Sequence, residues 1–277
     1  TVRVLRQSLS EETDFRNERR RFGIRRSDRR YHLYMVGKTG MGKSTAIEHL
    51  ILADLRAGAG FAVLDPHGDM VRRILTAVPD ERRDDIIYLD PADKDAAIPF
   101  NILQDTVSHP YLIVSGIVGA FRKVWGDSWG PRMEHILRHS LMALLPVPDA
   151  TLADLPRILS DKAFRDRALW YVTDVQVRSF FKEEYEKYTP RFRQEAIAPI
   201  LNKVGHFLAD PFLRAILSHK ENRLRMREAM DGGKIVLANL SKGRMGEDAS
   251  ALLGTLLLSQ IERAALGRAD MPSELRR

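Results

Sequence analysis

An α/β fold with a parallel sheet, interrupted by a long all-helical segment, is predicted by three features of the 277-residue chain. Short apolar runs alternate with helical periodicities over residues 33–105. Strand signals then vanish over 106–230, and a strand followed by a long amphipathic helix occupies 231–277. A polar, arginine-rich lead-in, residues 1–32, precedes these three parts.

The elements follow in order. Leu33-Tyr34-Met35-Val36 is a short apolar run ending at a glycine loop, the pattern of a buried parallel strand. Ile47, Leu50, Ile51 and Leu55 then recur at helical spacing until Gly58 and Gly60 stop them. Phe61-Ala62-Val63-Leu64 reads as a second strand and runs into Asp65-Pro66-His67-Gly68-Asp69. Val71, Ile74, Leu75 and Val78 share a helix face, and Ile86–Leu89 is a third strand. Beyond residue 106 the period is helical: Ile117, Val118, Phe121, Val124 and Trp125, then Met133, Ile136, Leu137, Leu141 and Leu144. Thr151 with Asp154 marks a helix start, while Pro190, Pro199 and Pro211 read as punctuation. Lys234–Leu240 returns as a strand flanked by Gly232, Gly233 and Gly243, and a helix is expected over Glu247–Leu266.

Composition narrows the classes. With 44% hydrophobic residues the chain can bury a substantial core. A formal charge of +7 suits an acidic partner such as nucleic acid or an anionic membrane surface, although many soluble proteins are mildly basic. The absence of cysteine excludes disulfides and thiolate metal sites. The longest apolar runs, Tyr111–Phe121 and Ala251–Leu258, fall short of the roughly 20 residues that span a bilayer. No signal-peptide pattern opens the sequence. In the lead-in, Arg16, Arg19, Arg20, Arg21, Arg25, Arg26, Arg29 and Arg30 form either a solvated stretch or an arm for phosphates or a neighbouring subunit.

Gly37-Lys38-Thr39-Gly40-Met41-Gly42-Lys43-Ser44 has the Walker A spacing between an expected strand and an expected helix. Glycines let backbone N–H groups turn inward on a β-phosphate, and the helix opening at Lys43 adds the positive end of its dipole. Lys43 is expected to reach the β/γ-phosphates and the Ser44 hydroxyl to ligate Mg²⁺. A hydrolase also needs an acidic Mg²⁺ partner at another strand end. No hydrophobic run ends in Asp-Glu; Asp65 and Asp90 end strands but are followed by proline.

An ordered set of motifs surrounds that loop: Phe22-Gly23-Ile24, Asp28-Arg29-Arg30-x-His32, Asp65-Pro66-His67-Gly68-Asp69 and Pro99-Phe100-Asn101. Trp129-Gly130-Pro131-Arg132, Asn202-Lys203-Val204-Gly205 and Asn239-Leu240-Ser241-Lys242-Gly243 extend it. From about residue 14 onward the chain resembles the HerA/FtsK superfamily, and within it the TraG/TraD-like coupling proteins of conjugative type IV secretion. The resemblance implies a RecA-like P-loop NTPase core with an inserted helical domain, assembled into a hexameric ring that threads DNA. It implies that Gly37, Lys38, Thr39, Gly40, Met41, Gly42, Lys43, Ser44 and Thr45 bind ATP and Mg²⁺, with Asp65 close by. It further implies a cytoplasmic motor at the inner face of a membrane, beside the channel components of a secretion system. In the family the Walker B strand follows the segment matching Glu247–Arg268, so this chain is expected to bind nucleotide and hydrolyse it poorly.

Several further residues carry two readings each. Arg132, at a helix start, is either an arginine finger reaching a neighbour's γ-phosphate or a residue paired with Asp127 or Glu134. His135 and His139 stand one turn apart but lack a third ligand, which rejects a zinc site. Phe180, Phe181, Tyr185 and Tyr188 among Lys182, Lys187, Arg191 and Arg193 describe either an amphipathic helix pair or a surface that stacks single-stranded bases. Three functions remain: a DNA-translocating ATPase, an ATPase driving pilus or protein export, and a non-hydrolysing, nucleotide-dependent assembly module.

Overall fold

The computed structural model describes residues 6–10, 14–15, 18–19, 22–25, 28–93, 98–104, 109–126, 129–272 and 276. Asp127 and the arginines at 16, 20, 21 and 26 lie outside them. The lead-in holds four short strands: β1 (Arg6–Ser10), β2 (Asp14–Phe15), β3 (Glu18–Arg19) and β4 (Phe22–Arg25). β1 pairs antiparallel with β4, and β2 with β3. This ribbon is absent from the hydrophobic pattern because its residues are mostly polar. Backbone pairing rather than an apolar face defines it.

Helix α1 (Lys43–Arg56) leads into β5 (Phe61–Asp65), α2 (Asp69–Ala77) and β6 (Ile86–Leu89). Every regular element described between β6 and Ile235 is helical: α3 (Pro110–Trp125), α4 (Pro131–Leu144), α5 (Leu155–Ser160), α6 (Lys162–Tyr171), α7 (Val175–Ser179), a π-helical turn (Phe180–Tyr185), α8 (Pro190–Ala209), α9 (Pro211–Leu217) and α10 (Met226–Asp231), with one short 3₁₀ turn at Leu152–Asp154. Thr151 and Asp154 form a capping box on that turn. Pro190 and Pro211 occupy first turns, where no donor is needed, but Pro199 lies inside α8 and does not end it. Ile197 and Ile200, both buried, hold that segment helical by packing.

The chain then returns through β7 (Ile235–Asn239), α11 (Lys242–Met245) and α12 (Glu247–Gly267). β5, β7 and β6 form a parallel sheet with β7 in the middle, Asp65 opposite Asn239 and Leu89 opposite Ala238. A strand with neighbours on both edges and helices on both faces is buried along its length, and all five residues of β7, four of them apolar, are buried. Ile235 and Leu237 pack with Leu55, Val63, Val71 and Ile74, which come from α1, β5 and α2. Val236 and Ala238 face the larger cluster that includes residues of α3 and α12.

The expected buried strand at Leu33–Val36 is corrected. Residues 32–38 carry no regular structure, and Leu33, Tyr34 and Val36 are 54%, 90% and 80% exposed. A parallel strand is buried only when others flank it, and no described strand lies beside this run.

Candidate nucleotide site

The Walker loop closes on itself through its lysine. Lys43 Nζ donates to the carbonyls of Gly37 at 2.6 Å and Lys38 at 2.9 Å, and Met41 N–H donates to Lys38 O at 3.3 Å. Gly42 stands directly before α1 with φ +79°, a conformation that a Cβ disfavours. No side chain caps α1, so the first-turn N–H groups carry no side-chain acceptor. Gly37 through Gly42, Ser44 and Thr45 are exposed. Exposed glycine-loop residues, a lysine ammonium and the uncapped start of a helix are groups of the kind that suit phosphate oxygens. Ser44 offers its hydroxyl at the second helical position, where a phosphate-bound Mg²⁺ would be met.

Asp65 ends β5 and is buried. Its carboxylate accepts from the N–H groups of His67 (2.9 Å), Met70 (2.9 Å) and Val71 (3.2 Å), so it binds the Asp-Pro-His-Gly-Asp turn to the start of α2. Gly68 carries φ +86°, and a Cβ there would lie 2.4 Å from Asn239 Oδ1. The Asn-Leu-Ser-Lys-Gly loop is stitched to this turn, with Leu240 N–H on Asp65 O at 2.9 Å and Lys242 N–H on Pro66 O at 3.0 Å.

A buried polar hub completes this edge of the sheet. Asp90, 5% exposed, accepts from Tyr88 Oη at 3.0 Å, Asn239 Nδ2 at 2.9 Å, Arg244 Nη1 at 2.6 Å and its own turn through Ala92 N–H at 3.1 Å. Asp65, Asp90 and Asn239 thus stand at the carboxyl ends of the three strands, where ligands bind in open α/β sheets. Both carboxylates are committed to hydrogen bonds. Asn239 stands among the sequence-level residues as the first of a motif, and Arg244 does not; their pairing with Asp90 is not legible there because it spans 149 and 154 residues.

A model of the type IV secretion-system coupling protein DNA-binding domain matches residues 22–190, more than half of the chain. The chain belongs to this coupling-protein family. Its fold is that of solved coupling proteins. The unbound bacterial conjugative coupling protein TrwBdeltaN70 is 16% identical with a TM-score of 0.55, over 93% of this chain and 56% of that one. The plasmid coupling protein TrwB with the non-hydrolysable ATP analogue ADPNP is 17% identical, TM-score 0.52, over 87% and 53%. TrwB with ADP and Mg²⁺ is 17% identical, TM-score 0.51, over 85% and 52%. The chain therefore spans about half the length of the coupling-protein structures it matches. No curated protein matches it.

The remaining candidates of this coupling-protein chain lie in the helical region. Arg132 is exposed at the start of α4, its guanidinium 4.9 Å from the Phe192 ring centroid. Glu134 does not pair with it; that carboxylate takes the Trp129 indole N–H at 2.7 Å and Arg138 at 2.9 Å. Phe180, Phe181 and Tyr185 are buried at 5%, 0% and 0% exposure, which removes them as a surface for DNA bases and makes them core. Tyr188 Oη donates to Glu184 at 2.6 Å; burial and then that carboxylate push the Tyr188 phenol up to about 12.

His135 and His139 pack their rings on Phe180, at 5.1 and 4.2 Å. Among the described residues, no group of three side chains that could hold a metal includes them. Burial lowers the His139 pKa below its ordinary value, so the folded state favours the neutral ring. The folded pKa is the depressed one, so the stability it contributes is present above the unfolded value of 6.5 and is lost as pH falls through the folded value. The melting temperature is expected to drop between pH 7 and pH 5 (roughly the window around the free imidazole value), and His139→Leu to flatten that slope. An unchanged slope in a folded His139→Leu protein contradicts this assignment.

Proposed function

We propose that this chain is the ATP-binding part of a DNA-translocating motor of the conjugative type IV secretion kind. The observation that carries the reading is the glycine loop whose lysine folds back on it, with an uncapped helix start and exposed hydroxyls beside it, in a chain of the coupling-protein DNA-binding family. TrwB relatives of the same fold are described in complex with ADPNP and with ADP and Mg²⁺, which supports ATP and Mg²⁺ as the ligands here. In this reading the N–H groups of Gly40 to Thr45 hold the β-phosphate and Lys43 turns from its two carbonyls to the β/γ oxygens. Ser44 positions Mg²⁺, which when bound neutralises the charge developing on the phosphates. The Asp90–Asn239–Arg244 hub holds the strand ends rigid beside the site. Copies of the parent protein form a ring around DNA on the cytoplasmic side of a secretion channel, with Arg132 as a candidate cation reaching the neighbouring copy.

The test is Mg·ATP binding by this chain and Mg·ATP turnover by the parent protein, each with and without DNA. Saturable Mg·ATP binding, lost in Lys43→Ala, with turnover raised by DNA is the expected result. Turnover indifferent to DNA overturns the translocase in favour of an export ATPase. Binding without any turnover, accompanied by nucleotide-dependent assembly, overturns it in favour of an assembly module.

A further inference from the structure

The helical segment meets the returning core around a cavity of about 660 Å³. The loop that ends α4 (Leu145–Asp149), the entry to α10 (Leu224–Glu228) and the α12 residues Gln260, Arg263 and Ala264 form its walls. A volume of this order is that of a small-molecule site, roughly 300–1,000 Å³. Among the described residues that line it, none belongs to the Walker loop or to the sheet edge of Asp65, Asp90 and Asn239. Helix α12 leaves that edge at Glu247, and Gln260 lies 13 residues further on, roughly 20 Å along the axis.

The walls combine apolar surface with polar groups that want a partner. Leu145, Val147, Leu224 and Met226 supply the apolar part. Gln260 is 4% exposed, and its Oε1 has no hydrogen-bond partner among the described residues. An unmet buried acceptor is costly, and native proteins nearly always supply it with a donor. The terminal torsion of a glutamine is broad rather than staggered, so Gln260 can turn that acceptor to a ligand. Three guanidinium groups also line the cavity. Arg227 holds Asp231 at 2.7 Å and Asp270 at 2.9 Å, while its buried Nη1 has no hydrogen-bond partner among the described residues. Arg263 Nη1 donates to Ser259 at 2.9 Å. Arg225 is exposed and pairs with Glu228 at 3.0 Å. The other lining carboxylate, Asp149, has Lys220 at 3.8 Å, so both carboxylates are matched by cations.

We propose that this cavity is a second ligand site, for a nucleoside monophosphate. The base lies against the apolar wall with an N–H of its edge on Gln260, and the phosphate meets the arginines. A carboxamide suits a base edge because it carries a donor and an acceptor side by side. Guanidinium forks match pairs of phosphate oxygens. An inorganic anion would leave Gln260 unmet, and an apolar ligand would leave the arginines unmet. The Walker loop, by contrast, cradles the β/γ-phosphates, which a monophosphate lacks. The inference needs neither DNA nor ATP turnover, so it stands or falls apart from the motor reading.

The test is calorimetric titration of AMP, GMP, CMP and UMP into the whole chain and into Lys43→Ala. At least one is expected to bind saturably, about tenfold or more tightly than inorganic phosphate and equally well to both proteins. Gln260→Met keeps the length of the side chain and removes the acceptor. It is expected to weaken binding about tenfold while the melting temperature without ligand does not fall, because a buried unmet group is gone. Arg225→Gln, at an exposed position, should weaken binding by up to about fivefold. Amide hydrogen exchange of the unaltered protein, which needs no variant to fold, should show protection by the nucleotide over residues 222–228 and none over 37–45. Four monophosphates that fail to bind overturn the site. Phosphate binding as tight as that of the nucleotide, an adventitious ion only, does the same. So does affinity lost in Lys43→Ala, protection over 37–45 in place of 222–228, or a folded Gln260→Met protein that binds as tightly as the parent.

Discussion

Gly68→Ala is expected to destabilise the protein by about 3–5 kcal/mol, from two costs that act together. A side chain at φ +86° carries left-handed backbone strain of about 1–3 kcal/mol. The new Cβ would also stand 2.4 Å from Asn239 Oδ1, so Asn239 must move. Moving it weakens its bond to the buried Asp90 carboxylate, and a hydrogen bond to a charged group contributes about 1.5–3 kcal/mol. Gly40→Ala separates the terms, because Gly40 has φ +84° with nothing within 4 Å of an added Cβ. Urea unfolding should place Gly40→Ala near the strain cost alone and Gly68→Ala well beyond it. Equal losses would show that the Asn239 contact carries no weight.

Lys43→Ala is expected to lower the affinity for Mg·ATP by about a hundredfold or more while leaving the fold intact. The ammonium is partly exposed and touches two loop carbonyls, so its removal leaves no buried group unpaired. Its two contacts to phosphate oxygens would be charge-assisted, at about 1.5–3 kcal/mol each, and about 1.4 kcal/mol corresponds to a factor of ten. Calorimetric titration with Mg·ATP checks the affinity, and the melting temperature checks the fold. A Lys43→Ala protein that binds as tightly as the parent would place the nucleotide elsewhere.

What could be read from the sequence follows from the range of each interaction. The Walker spacing is legible because it lies within one contiguous stretch, Gly37 to Ser44. β5, β6 and β7 are legible because strands of a parallel sheet are rich in apolar residues, as Phe61–Leu64, Ile86–Leu89 and Ile235–Ala238 are. The same rule misplaced Leu33–Val36, where the apolar run is present but no described strand flanks it. The hub of Asp90, Asn239 and Arg244 is silent in the sequence as a hub, since a strand-end aspartate, a motif asparagine and an arginine far apart in the chain show no link until the fold brings them together. Helical periodicity marked Phe121 and Trp125 as inward-facing, yet it could not show that Phe207 and Trp129 pack their rings against them. The π-helical turn at Phe180–Tyr185 likewise drew its aromatics into the core, away from the surface on which their basic neighbours suggested DNA.

The central claim is that the backbone donors of the loop from Gly37 to Thr45 grip a nucleotide's phosphates. Amide hydrogen exchange with and without Mg·ATP measures those donors themselves. Protection that appears on binding over residues 37–45, and disappears in Lys43→Ala, is the predicted result. Saturable nucleotide binding that leaves exchange in this loop unchanged would contradict the account.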